Sequence, residues 1–426
     1  MPSKESNIKN RIISEVQEIL DRELQPQEQS RRSAHSRAGV SAGAFLDLQD
    51  GFYNGLCQGL GLSPSSFQIL QPSPPLIQGS NTGLWTYFNN IPPFSLTQNY
   101  ISSGGNRYFD DYKGLISALK PTNDIDFEGD VGEKVYDAWI GYVSNLNPIP
   151  APNMLPQLFL NWASIRYPSV AQIGAADLSA MLLDPISSAG LALMPYIDPS
   201  NPKPADWTPD YNALVQMLNN APKISFNFNS STMNTNVSGS WSQGQNEGFF
   251  GLWGSSSSTS TLSTQFASSN VTIEASFDHV LTFAGSPGVW YNSSAMGDAF
   301  SHQSGAPWNP KSTINWQNTF DAQNGNMARF MVNLIVVSGM HIQVDSDAQY
   351  SSDDQQTIVS NSSAGMWPFY SSSSSSSSST EVSFDSQAHM TVKIDTLGNV
   401  PTVIGGNVLP VDKYLGHATK ALRLVQ

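Results

Sequence analysis

The chain is short of charge and of cysteine, and it has no long apolar run. Charged residues fill 13% of its 426 positions, about half the share usual in a globular protein. Serine, asparagine and glycine take up the difference, so the surface is polar but weakly charged. Acidic residues outnumber basic ones by 34 to 20, a formal net charge of −14, which opposes attraction to nucleic acid over most of that surface. One cysteine, Cys57, excludes an internal disulfide. It sits in FLDLQDGFYNGLCQGLGL, a stretch that reads as helix, where a buried and inert thiol is expected.

Nowhere does the sequence supply the roughly 20 apolar residues of a membrane-spanning helix. Its longest apolar region, 175–197, is broken by Asp177, Asp184, Pro185 and Pro195. The first 24 residues also lack the continuous apolar centre of a secretion signal. Ile8, Ile12, Val16, Ile19, Leu20 and Leu24 recur there at helical spacing with charges between them, which predicts an amphipathic helix. The expectation is a protein made in soluble form without a signal peptide, cytoplasmic or released by a non-classical route. Five Asn-x-Ser/Thr patterns, at Asn229, Asn236, Asn270, Asn292 and Asn361, then reflect composition rather than glycosylation.

Catalytic signatures are missing too. There is no phosphate loop or dinucleotide fingerprint. None of the six histidines, His35, His279, His302, His341, His389 and His417, stands at a metal-ligand spacing. His341 and His389 fall in alternating stretches that could place them face to face on neighbouring strands, in a structural role. An enzyme is the least supported class, and no cofactor is expected. The acidic string DIDFEGDVGEKV sets Asp124, Asp126, Glu128 and Asp130 at alternate positions and resembles the opening of an EF-hand calcium loop. Its twelfth position is Val135 rather than a bidentate glutamate, so the reading is a solvated acidic turn, with no metal.

What the sequence does have is a change of period. From Ala38 to Pro222, apolar residues recur three or four apart between Pro and Gly breaks, as in GEKVYDAWIGYVSNL and DYNALVQMLNN, the spacing of helices. From Lys223 they alternate: Ile224, Phe226 and Phe228; Val271, Ile273, Ala275 and Phe277; Phe330, Val332, Leu334 and Val336; Met340, Ile342 and Val344; Met390, Val392 and Ile394. Alternation is the spacing of strands. The predicted fold is α+β, a mainly helical first half followed by a mainly antiparallel β second half with two long hairpins. The predicted organisation is an amphipathic helix and linker over 1–37, a helical domain over 38–222, a β-rich domain over 223–412 and a tail over 413–426.

The second half also repeats a pattern. Strand, polar arm, GFFGLWG, a serine-rich run and strand are followed later by strand, polar arm, GMWPFY, nine consecutive serines and strand. Each unit reads as a hairpin with an apolar tip, and Ser371 to Thr380 is expected to pair with the polar stretch before Met366. Phe249, Phe250, Leu252 and Trp253 at one tip, and Met366, Trp367, Phe369 and Tyr370 at the other, are the candidate contact residues. Full burial of such a tip gains at most about 10 kcal/mol. An all-serine strand is a poor lipid-facing wall, because an unpartnered hydroxyl in hydrocarbon costs roughly 1–3 kcal/mol.

In layout this resembles pore-forming proteins, which are made soluble, assemble, and extend amphipathic hairpins into a bilayer. The resemblance implies a homo-oligomer that meets lipid through its tips. Two other expectations stand beside it. One is a self-assembling structural subunit of a filament or shell without membrane activity. The other is a carbohydrate-binding module using loop tryptophans such as Trp290 and Trp308.

Overall fold

The computed structural model describes residues 40–70, 76–92, 107–237, 262, 264–361 and 378–416. The expected division holds in secondary structure, with helices through most of the first half and antiparallel strands through most of the second. The strands are β1 Phe67–Ile69, β2 Trp207–Thr208, β3 Ile224–Asn229, β4 Val271–Ala284, β5 Ser286–Pro287, β6 Arg329–Ser346, β7 Ser378–Phe384, β8 Met390–Thr396 and β9 Thr402–Pro410.

Seven of these form one antiparallel sheet. Its path runs β1, β9, β6, β4, β3, with β8 also against β6 and β7 outside β8. β6 organises it: one edge pairs with β4 along most of its length, while the other is shared between β9 near its start and β8 near its end. Alternation aligns the buried rows, so Ile273 lies opposite Val344 and Val344 opposite Val392, and Ala275, Ile342 and Ile394 form the next inward row. Such cross-strand apolar pairs are the stabilising unit of a sheet.

β6 is a single strand where the alternation reads as two. The join is Gly339, at φ +60° in the left-handed region that favours glycine, with the Asp278 side chain occupying the space a Cβ would take. Pairing skips this point, passing from Phe277 with Met340 to His279 with Ser338. The inward row stays in phase across it, with Val336, Ser338 and Met340 all buried, and the sequence reads as interrupted because serine takes the inward place between Val336 and Met340 and glycine follows it.

Packing groups the chain differently from secondary structure. The larger core combines helices that precede residue 222, among them Val40–Leu60, Asn81–Asn89, Tyr108–Ser117 and Tyr211–Asn219, with the sheet that follows it. A smaller core joins helices Phe127–Val131, Glu133–Ser144, Leu155–Arg166 and Ala171–Met181 around Trp139, Phe159 and Trp162. Helix Pro185–Leu193 sits between the two, giving Ile186, Ala189 and Leu193 to the first and Leu191 to the second. Among the described residues no single helix is long and apolar enough to cross a membrane.

Candidate functional site at the root of the first insert

β3 and β4 are neighbours joined by the long connection that contains GFFGLWG. Asn229, the last residue of β3, lies opposite Thr272 at the start of β4, so the connection leaves and re-enters the sheet at one end. Its tip residues Phe249, Phe250, Leu252 and Trp253 lie outside the described residues. Its two roots are described.

The leaving root is held by helix Val40–Leu60. Leu48, Phe52, Leu56 and Leu60 give the helix a buried face, and Gly51, Gly55 and Gly59, also four apart, make a groove beside it. A Cβ at Gly59 would come within 2.5 Å of Phe226 Cγ, one at Gly55 within 3.0 Å of Phe228 Cδ2, and one at Gly51 would overlap Met233. The glycines therefore admit, in turn, two residues of β3 and one of the arm beyond it. Phe52 meets the Phe228 ring edge-on at 5.8 Å. On the exposed side, Asn54 Nδ2 donates to the carbonyls of Asn234 at 2.6 Å and Asn236 at 2.8 Å. The arm thus lies clamped along the helix from residue 226 to residue 236.

The returning root is apolar. Leu262 and Phe266 are buried in the larger core, with Phe266 in a short helical turn before β4 rather than in the strand that the repeat implies. Gln265 Nε2 donates to the Gln349 carbonyl at 2.7 Å, and the Asn270 N–H donates to Asp347 Oδ1 at 2.7 Å.

The second insert is built otherwise. After β6 the polar stretch before Met366 forms helix Ser352–Asn361, not an arm paired with the serines. Ser351 and Asp354 explain this: the Asp354 N–H donates to Ser351 Oγ and the Ser351 N–H to Asp354 Oδ2, a reciprocal arrangement that starts helices. Ile358 is buried, and Tyr350 meets Phe384 of β7 edge-on at 5.9 Å. Ser378 to Phe384 pairs with β8, so the end of the serine run is strand but has a different partner from the one expected. Residues 371–377 and the tip residues Met366, Trp367, Phe369 and Tyr370 lie outside the described residues, as do residues 1–37.

The remaining candidates are dispersed. The acidic string divides between helices Phe127–Val131 and Glu133–Ser144. Asp126 caps the first of these, accepting from the Gly129 N–H at 3.0 Å. A helical backbone turns residues two apart to different sides, so Asp124, Asp126, Glu128 and Asp130 do not form the open loop that calcium would need. Burial, and then the neighbouring Asp130, raise the Asp177 carboxyl above its usual range. Among the described residues no group of three or more His, Cys, Asp or Glu could hold a metal ion.

The two strand histidines do not meet. His341 Nδ1 lies 2.7 Å from Asp395 and its Nε2 3.6 Å from Asp278, which also pairs with Lys223 at 3.5 Å. His389 instead turns back to Asp385 at 3.1 Å. Trp290 and Trp308 are buried, their indole N–H groups donating to the carbonyls of Asp206 and His302, so neither presents an open ring to a sugar. Cys57 is buried as expected, its thiol pushed up to about 12 by burial.

Comparison with protein-family models, with curated proteins and with solved structures gave no match.

Proposed function

We propose that the protein is a self-assembling, membrane-active protein in which the insert spanning residues 238–261 carries the bilayer contact and helix Val40–Leu60 restrains it until a membrane is met. The observation that carries this reading is the clamp. A segment with four large apolar side chains is tethered to adjacent strands at one end of the sheet, and one tether rests in a glycine groove closed by two hydrogen bonds from Asn54. These bonds are exposed and individually weak, each worth about 0.5–1.5 kcal/mol. The contact they restrain offers at most about 10 kcal/mol on burial, so a bilayer can outcompete them.

Assembly has its own support. β3 and β7 each have one strand neighbour among the described residues, and an open edge is a template for another chain. Those edges also favour a second reading, a structural subunit that assembles without touching lipid. Dye release from vesicles, measured beside electron microscopy of the same samples, separates the two. The membrane reading expects release that falls sharply in Trp253→Ser at unchanged melting temperature. Ordered assemblies with no release, from wild type and variant alike, would leave only the structural subunit.

A further inference from the structure

At the far end of the sheet from the insert roots lies a cleft of about 270 Å³, between helix Asn81–Asn89, the first turn of helix Tyr108–Ser117 and residues 202–207. Phe88, on the first of these helices, packs against Phe283 and Gly285 where β4 ends. Thirteen residue steps of strand, about 45 Å, separate that point from Val271 at the insert root. A ligand here is therefore independent of the proposed membrane contact.

The cleft is lined by three of the chain's 20 basic residues, Arg107, Lys113 and Lys203, with one acid, Asp110, and hydroxyl and amide groups from Thr82 and Asn89. In a chain of net charge −14 this is a local reversal of sign. Two of the cations are positioned by the protein. Lys113 lies 3.0 Å from Asp110 and 4.7 Å from the Phe109 ring centroid, and Lys203 Nζ donates to the Leu146 carbonyl at 2.7 Å. Each ammonium keeps further protons to donate. The exposed Arg107 guanidinium has no partner among the described residues. Asn89 Oδ1 accepts from the Phe109 N–H at 2.9 Å, which fixes the amide. Beneath them Phe109, Tyr196 and Trp207 are buried and form a packed floor rather than open stacking rings.

The geometry points to a binding site for a small phosphorylated polyol. Three cations outnumber the lining carboxylate of Asp110 and the Asp206 carboxylate that acts on Lys203 from behind the lining, a net positive site that suits the charge of about −1.5 to −2 on a phosphomonoester at neutral pH. Arg and Lys are suited to phosphate oxygens, while Thr82, Asn89 and Asp110 supply donors and an acceptor for hydroxyls. The volume is at the small end of ligand pockets, which run from roughly 300 to 1,000 Å³, and so suits a glycerol- or sugar-sized body. Burial lowers the Lys203 ammonium from its usual range, a cost that an anion beside it offsets.

The test is calorimetric titration of the full chain with glycerol 3-phosphate, inorganic phosphate and glycerol. Wild type, Arg107→Ala and Lys203→Met are compared after their melting temperatures are matched. The expected result is saturable binding of the ester that weakens with salt and falls about tenfold or more in each variant, weaker binding of inorganic phosphate, and none of glycerol. No saturable binding by the wild type, or equal binding by all three proteins, would overturn the site. Inorganic phosphate binding as tightly as the ester would overturn the polyol.

Discussion

The two inserts leave the sheet from the same end and return to it differently. The first departs after Asn229 and comes back at Val271, beside its point of departure. The second departs after Ser346, which lies opposite Met390, but re-enters at Ser378, opposite Thr396. The length of β7, about 20 Å, separates exit from return. Alike in sequence pattern, the units therefore have unlike mechanics. The first leaves and rejoins neighbouring strands at one end of the sheet, its leaving root held by one helix. The second has its exit and its return at opposite ends of β7, with a helix packed beside that strand. The leaving root of the first can come off its helix without disturbing the sheet, whereas the return of the second is β7 itself. This difference is why the proposed membrane contact is placed on the first insert and not on the second.

The largest effects expected from breaking the comparison are at the apolar roots. Phe266→Ala should cost about 3–5 kcal/mol and Ile358→Ala about 2–5 kcal/mol in denaturant unfolding. Limited proteolysis sharpens the contrast, since Phe266→Ala should expose 238–261 selectively and Ile358→Ala should expose 362–377. Equal exposure of both inserts in both variants would show that the roots are not independent.

Next come two glycines with opposite expected signs. Gly59→Ala, which drives a methyl into Phe226, should cost about 1–3 kcal/mol. Gly141→Ala, in helix Glu133–Ser144 with nothing within 4 Å of its added Cβ, should stabilise by about 0.5–1 kcal/mol. The same sign at both positions would remove the argument for a glycine groove.

Asn54→Ala is a smaller change. Losing the two exposed bonds to residues 234 and 236 should lower stability by about 1 kcal/mol while raising the rate of dye release. An unchanged or slower release would mean that the arm is not what restrains the insert.

A pH-dependent control lies remote from both roots. Burial raises the Asp111 carboxyl from 3.8 to about 6, with the Asn326 hydrogen bond opposing the shift. Because the folded value exceeds the unfolded one, the folded state holds the extra proton between these limits. Stability should then fall as pH rises through about 4 to 6 and level off above. Asp111→Asn should flatten that slope in urea unfolding while leaving dye release as in wild type.

The sequence disclosed the secondary structure better than the connections. Val135, Trp139 and Val143 are spaced for helix Glu133–Ser144, and Phe226 and Phe228 alternate as β3 requires, because each pattern reports one element against one core. The Gly51, Gly55 and Gly59 stripe was equally visible. Its meaning depended on Phe226, Phe228 and Met233, residues more than 160 positions away that no local period connects to it. The Ser351 and Asp354 pair was a local signal for helix Ser352–Asn361, but the assumed repeat favoured a strand there. Ser338 and Gly339 hid the unity of β6 by breaking its apolar run without changing its phase. Cleft residues such as Arg107 and Lys203 are ordinary surface residues in sequence, 96 positions apart, and only folding around Phe109 and Trp207 brings them to one opening.

The central claim, that helix Val40–Leu60 restrains the first insert until it meets a membrane, is tested most directly by locking the clamp. In a Cys57→Ala background, Asn54→Cys and Asn236→Cys place two thiols where the helix and the arm already meet. Dye release from vesicles is measured with the disulfide closed and again after reduction of the same sample. The account predicts that the oxidised protein binds vesicles weakly and releases no dye, and that reduction restores release to the level of the single-cysteine controls. Equal release before and after reduction, with the disulfide verified as closed, would contradict it.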